Sequence, residues 1–317
     1  MAPTVFIVGG YVPNGGTMMA YEVGRILHET FGYDGACVSV NEHGPDNGIF
    51  TYPHRFPALS IIEMMEAAGP DDILLSNPSF SNNGFGLRFP GRKIMYVQDF
   101  KTFSLLDLYF DHYVSVSRVV RDFLARTYRL KTPIIPAYVT LPDEAPPAWE
   151  ARPAERVLLH VKGRDHLARG IGERVADILR TRRPSIQLEP LRTEAKISHR
   201  DLIARLGTTR TLLSLVPAEG FGLTPLEAMG VGATVCGLDG IAGRDYMRHG
   251  RNALITRYGP VEAIADTVLT ALSDPARAAT IAKAGRRTAE RFVQPVFEKR
   301  WRQALRAMGV RRVRPTG

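Results

Sequence analysis

The chain has 317 residues, 44% hydrophobic and 23% charged, with two cysteines and a formal net charge of +9. This length suits two domains of about 150 residues, and the composition excludes a disulfide-stapled scaffold and a disordered chain. No apolar run approaches the roughly 18 residues of a membrane span, so a cytoplasmic protein is expected. Cys37 and Cys236 sit far apart inside apolar runs and read as buried small hydrophobes.

The pattern alternates short apolar runs with longer amphipathic segments, which points to parallel α/β layers. Thr4-Val5-Phe6-Ile7-Val8 lacks the basic leader and cleavage site of a signal peptide and reads as a first strand. A glycine-rich turn follows, then Met19, Val23, Ile26 and Leu27 on one helical face. Further strands are expected at Ala36–Val40, Ile73–Ser76, Ile94–Val97, Tyr113–Val116 and Ile134–Ile135, with Ser117 capping a helix through Tyr128. Residues 141–155 hold four prolines and no periodicity, the pattern of a linker. The alternation then restarts, with strands at Arg156–Val161, Ile186–Leu188, Thr211–Val216, Ala233–Cys236 and Ala253–Ile255. The expected layout is a first domain over 1–140, a linker over 141–155, a second domain over 156–290 and a last helix with a basic tail over 291–317. A cleft between two such units is a preferred ligand site.

From Arg286 to the end there are ten Lys and Arg against two Glu, a surplus of +8 out of +9. Two readings of this tail stay open: a solvated helix face, or peripheral docking on the anionic inner face of a membrane. Nucleic acid is not an expected partner, because the tail has few interleaved aromatics and no binding module. Phe297, Trp301, Leu305 and Met308 share one face of the last helix, which suits packing back onto the first domain.

The most informative stretch is Pro217-Ala218-Glu219-Gly220-Phe221-Gly222-Leu223-Thr224-Pro225-Leu226-Glu227-Ala228-Met229. It follows an expected strand and opens a helix, with Thr224 in the cap position and Pro225 as the first helical residue. The N–H groups of Gly222, Leu223 and Thr224, at the positive end of the helix dipole, form an anion seat. Glu219 and Glu227 flank it. Glu227 also fits a capping box with Thr224, and that local reading stands beside the functional one.

This Glu, seven residues, Glu arrangement, with Gly-Phe-Gly-Leu inside it and Glu-Ala-Met after, resembles the donor-site motif of family 4 glycosyltransferases. The resemblance implies a GT-B fold, two Rossmann-like domains facing across a cleft, and a retaining transfer from a nucleotide-sugar donor. It also implies that Glu219 contacts the donor sugar, that the amides of Phe221, Gly222, Leu223 and Thr224 hold the diphosphate, and that Glu227 binds the ribose.

A second segment, Leu158 to Gly170, is a strand ending in a glycine turn with arginines at 164 and 169. It is similar to the family's Gly-Arg strand end, where two cations clamp the diphosphate. Arg164 matches, Arg169 stands where Lys is usual, and Lys162 is a reserve cation; a surface role for the arginines is the alternative. Fixed cations and amides stabilise the departing diphosphate. No Asp-X-Asp motif or ligand-spaced His/Cys cluster is present, so neither a metal nor any cofactor beyond the donor is expected. Base recognition is expected near Leu191-Arg192-Thr193, with Arg192 stacking on the base.

In the first half, Gly9 to Gly16 resembles the family's Gly-Gly loop, which implies that Gly15 and Gly16 approach the bound ligands. Tyr96-Val97-Gln98-Asp99-Phe100 is similar to a phrase in a rhamnan-type subset of the family, though Lys101 replaces its usual Glu. Asp99 is an acceptor candidate or a helix cap. Many members carry a His near residue 77, where this chain has Asn77, a candidate sugar hydrogen-bonding group. His160 and His166 read as structural.

No residue stands out as a covalent nucleophile, so a front-face route is expected. The acceptor classes left open are a growing polysaccharide, a lipid-linked glycan and a small molecule. Two rivals share the fold: a nucleotide-sugar epimerase, and a non-catalytic partner subunit that only binds the donor.

Overall fold

A computed structural model describes residues 2–10, 14–39, 56–142, 144–162, 166–191 and 198–313. The chain divides into two compact units, Met1–Ala137 with Pro295–Gly317, and Tyr138–Gln294.

The first unit contains β1 (Thr4–Val8), α1 (Gly15–Ile26), β2 (Asp34–Ser39), β3 (Ala58–Ser60), α2 (Ile61–Ala67), β4 (Ile73–Ser76), α3 (Phe85–Arg88), β5 (Arg92–Val97), β6 (His112–Ser115) and α4 (Arg118–Tyr128). The strands form one sheet in the order β3-β2-β1-β4-β5-β6, and every pairing is parallel. A strand in the middle of a parallel sheet is covered on both faces and so is apolar throughout. Val5, Phe6, Ile7 and Val8 are all buried in this way. Ser117 caps α4 through the N–H of Val120, as its chemistry predicts.

The second unit contains β7 (Arg156–His160), α5 (His166–Arg182), β8 (Gln187–Leu191), α6 (His199–Gly207), β9 (Thr211–Ser214), α7 (Leu223–Gly230), β10 (Thr234–Leu238), β11 (Leu254–Thr256), α8 (Val261–Ser273) and α9 (Pro275–Ala289). Its parallel sheet runs β11-β10-β9-β7-β8. Val157, Leu213, Cys236 and Leu238 from the strands pack against Ile264 and Val268 of α8. The proline-rich segment before β7 is fastened to this unit. Arg152, 6% exposed, donates to the carbonyls of Pro147, Thr209 and Val231. Trp149 lies under the Arg210 guanidinium at 4.7 Å.

The last helix, α10 (Gln294–Ala307), completes the core of the first unit. Trp301 is fully buried and meets Tyr96 edge-on at 5.1 Å, while the Tyr96 hydroxyl donates to the Ile135 carbonyl at 2.8 Å. Glu298 of the same helix pairs with Arg25 of α1. Met308 lies just past the helix end and is half-buried, so the apolar stripe is Phe297, Trp301 and Leu305.

Three local expectations are corrected. β3 is an additional edge strand of three residues, too short to show a period. Ile134 makes only an isolated bridge to Ser115, because its neighbour Pro133 has no N–H to continue a ladder. Asp99 does not cap a helix: its carboxylate accepts from the N–H groups of Phe100 and Lys101 and closes a turn. Both cysteines are buried free thiols. Among the described residues, no helix is long and apolar enough to cross a membrane.

Candidate functional site

In the second unit, the loops that leave the carboxyl ends of β7, β9 and β10 meet, the usual ligand edge of an open parallel sheet. The β9 loop carries Glu219, and its N–H donates to the Gly240 carbonyl beyond β10 at 3.0 Å. Next to Gly240, Ile241 has φ +62°, a rare value for a β-branched residue, and its N–H donates to Asp239 at 2.9 Å. The two loops are thereby held together.

The chain enters α7 through Gly222, which caps the helix in the left-handed region at φ +87°, and no side chain caps it. A Cβ at this position would stand 3.0 Å from the Tyr246 hydroxyl and 3.1 Å from Glu219 Oε2, so a side chain is strained on two counts, backbone and contact. The helix starts at Leu223 and not at Pro225, and Thr224 lies inside its first turn. The expected cap at Thr224 and its capping box with Glu227 are therefore absent. A glycine that adopts a left-handed conformation has taken the cap position first. The first-turn N–H groups have no intrahelical acceptors.

The tyrosine behind the loop fixes it. Tyr246 donates to the Gly222 carbonyl at 2.6 Å. Burial, with Glu219, Glu227 and Asp245 adding to it, pushes its pKa well above the usual value, so it stays a phenol and a donor. Phe221 packs on Tyr246 at 5.5 Å and on Phe292 at 5.8 Å. Glu219, Phe221, Gly222, Asp239, Gly240 and Tyr246 line a narrow crevice with no room for a water molecule.

Both glutamates are buried, Glu219 to 8% exposure and Glu227 to 6%. A buried carboxylate needs a partner, and each has one. Lys162, just beyond β7, pairs with Glu219 Oε1. His199, the first residue of α6, meets Glu227 Oε1 through Nε2 at 2.8 Å. His160 lies fully buried at the end of β7, where burial lowers its pKa, an effect the nearby Glu219 opposes.

The structure thus brings together Lys162, Glu219, Phe221, Gly222, Leu223, Thr224 and Glu227. Arg164 and Arg192 lie outside the described residues. Arg169 is exposed in the first turn of α5. In the first unit, Gly15, Gly16, Asn77 and Asp99 follow β1, β4 and β5 at the carboxyl edge of that sheet. There the Gln98 amide donates to the Gly16 carbonyl at 2.9 Å, and Asn77 accepts from the Ser79 N–H at 3.0 Å. His199, Asp239 and Tyr246 were not legible as site residues. Their partners are 28, 5 and 24 residues away in sequence, and no periodicity links them.

Residues 195–288 match the family model described as glycosyl transferases group 1. The match covers less than a third of the chain. It spans α6 through most of α9 and includes Glu219 and Glu227. No curated protein sequence matches the chain.

Among solved structures, the sucrose-phosphate synthase of Thermosynechococcus elongatus is similar, with a TM-score of 0.69 and 15% identity over 98% of this chain and 99% of that one. HepE of Anabaena, solved in complex with UDP and glucose, has a TM-score of 0.71 and 14% identity over 97% of this chain and all of that one. TarM of S. aureus, solved with UDP among its ligands, has a TM-score of 0.62 and 12% identity over 76% of this chain; the match spans 57% of TarM. These likenesses establish the fold as GT-B, α/β with two Rossmann-like domains.

Proposed function

We propose that this group 1 glycosyltransferase is a retaining enzyme that moves a sugar from a nucleoside-diphosphate sugar to an acceptor hydroxyl. The observation that carries the reading is the uncapped N-terminus of α7 between two buried carboxylates, Glu219 and Glu227. An uncapped helix start is suited to a diphosphate, because its free N–H groups and dipole favour negative charge. On this reading Glu219, on the loop side, contacts the sugar and Glu227, inside the helix, binds the ribose.

Breaking the bond between sugar and phosphate develops charge on the departing diphosphate. Donors that are already oriented stabilise that charge most in the transition state. The amides of Gly222, Leu223 and Thr224 supply such donors, and Lys162 adds a cation beside Glu219. Arg164 and Arg169 belong to the same proposal on the strength of the sequence resemblance, as does departure without a metal. The reading places the acceptor near Gly15, Gly16, Asn77 and Asp99, and Arg192 on the base.

A thermal melt against UDP, GDP, ADP and dTDP tests the donor site. A nucleotide at 100 times its dissociation constant stabilises by about 2.7 kcal/mol, and Arg164→Ala is expected to abolish that shift. The sugar nucleotide built on the nucleotide that binds is then incubated with enzyme, and the released sugar is followed by NMR. Initial release of the donor's own anomer supports retention. The opposite anomer, or an interconverted sugar nucleotide, overturns it.

A further inference from the structure

We infer that His199 is a positioning residue for the ribose end of the donor site: it holds the Glu227 carboxylate in place, a role that presupposes the donor-site reading above. The pair is an Nε2···Oε1 contact of 2.8 Å across two elements, α6 and α7, and 28 positions of sequence. The two ends of the pair are unlike. Glu227 has a side chain only 7% exposed, whereas the His199 side chain is 44% exposed.

A buried carboxylate has two oxygens with about four acceptor sites between them. His199 takes one site on Oε1 and fixes the carboxylate's rotation, which leaves Oε2 for a ligand. Two neighbouring hydroxyls, as on a ribose, match such an oriented carboxylate.

The position of His199 is not accidental to its helix. Ser198 caps α6 through the N–H of Asp201 at 3.1 Å, so the imidazole leaves the helix at a defined point. A cation there is disfavoured by the helix dipole. The Glu227 bond reverses that preference and raises the imidazole's pKa against its partial burial. Among the described residues, the other titratable groups near the pair are His160 at the end of β7 and Tyr246 behind the loop, both coupled to Glu227, and Arg200 and Asp201 on α6 itself. Burial disfavours the charged form of His160, so among the described residues the imidazolium at 199 faces one carboxylate and no buried cation.

Because the His199 side chain is 44% exposed, its removal is expected to leave the fold intact, although the Glu227 carboxylate loses its partner. Calorimetric titration with UDP, GDP and ADP first selects the nucleotide that wild type binds best. That nucleotide and its 2′,3′-dideoxy counterpart are then titrated into wild type, His199→Ala, His199→Gln and Glu227→Ala. His199→Ala is expected to weaken the ribonucleotide about tenfold, with a lower melting temperature from the unpaired Glu227 carboxylate and unchanged affinity for the dideoxy form. His199→Gln, whose amide can still donate to Oε1, is expected to restore most of the loss. Wild-type affinity for the ribonucleotide is expected to fall as pH rises through the raised imidazole pKa, and the His199→Gln profile to stay flat. Equal losses for both nucleotide forms, or no loss in His199→Ala while Glu227→Ala still abolishes ribose discrimination, overturn the role of His199 and leave the donor site standing. Failure of every nucleotide to bind wild type overturns the donor-site reading and this role with it.

Discussion

Each unit has a turn in which a parallel strand runs through glycines into a helix, and the two turns end in opposite ways. At the start of α1, the Asn14 side chain accepts the Thr17 N–H at 2.8 Å, and Gln98 closes over the Gly16 carbonyl. At the start of α7, a left-handed Gly222 takes the cap position and no side chain caps the helix. Helix starts leave N–H groups without acceptors. The first turn answers that demand at one N–H from its own Asn14 side chain. The second leaves it for something else, with Glu219 and Glu227 buried on either side. A glycine turn before a helix is therefore no guide to anion binding until its cap is known.

The comparison breaks most visibly at Glu219. Glu219→Gln is expected to lower nucleotide release from the sugar donor by at least about 100-fold while the melting temperature stays close to wild type. Gly222→Ala comes next. The left-handed backbone costs about 1–2 kcal/mol for any residue with a Cβ, and the new atom crowds Tyr246 and Glu219. The melt is expected to drop and the nucleotide-induced shift to vanish together.

An electrostatic difference follows, because only the α7 turn has a buried imidazole behind it. His160 has a lowered pKa in the folded protein, so the unfolded chain binds more protons as the solution is acidified. Its contribution to stability is present above the unfolded value near 6.5 and is lost as pH falls below it, with a slope of at most about 1.4 kcal/mol per pH unit. Chemical denaturation between pH 5 and 7 is expected to show a smaller slope in His160→Asn.

Asn14→Ala removes a cap worth about 1 kcal/mol and is expected to lower the melt without touching nucleotide affinity. An effect on affinity would mean that the α1 turn also serves the donor. Gly16→Ala is the mildest, at under about 1 kcal/mol, since the new atom meets only the ends of two flexible side chains, Gln98 Oε1 at 2.8 Å and Asn14 Oδ1 at 3.2 Å. The two glycine variants, compared in one melt series, separate a turn built for packing from one built for a ligand.

Most strands were legible because parallel sheets bury both faces, so Val5–Val8 and Ile73–Ser76 appear as unbroken apolar runs. Ala58–Ser60 lies at the sheet edge and pairs on one side only, so nothing in its three residues marks it. At the site, the spacing of Glu219 and Glu227 and the glycines between them were legible, because the backbone there imposes residue types. The helix start was misread, since Thr224 and Glu227 satisfy a local capping pattern that a left-handed glycine two residues earlier pre-empts. His199 and Tyr246 escaped altogether. Each acts through contacts with partners distant in sequence, and such long-range contacts leave no periodic trace.

The position of Trp301 also has a bearing on how the protein is made. Its indole fills the centre of a core whose other members, Tyr96 among them, are synthesised roughly two hundred residues earlier. At about 5–20 residues per second, the first unit emerges from the ribosome and waits on the order of ten to thirty seconds for its last piece. The second unit, continuous from Tyr138 to Gln294, has all its parts before α10 appears. The half of the molecule that is translated first is the half completed last, and a chaperone that shields apolar surface would find its target in the cavity that Trp301 later closes.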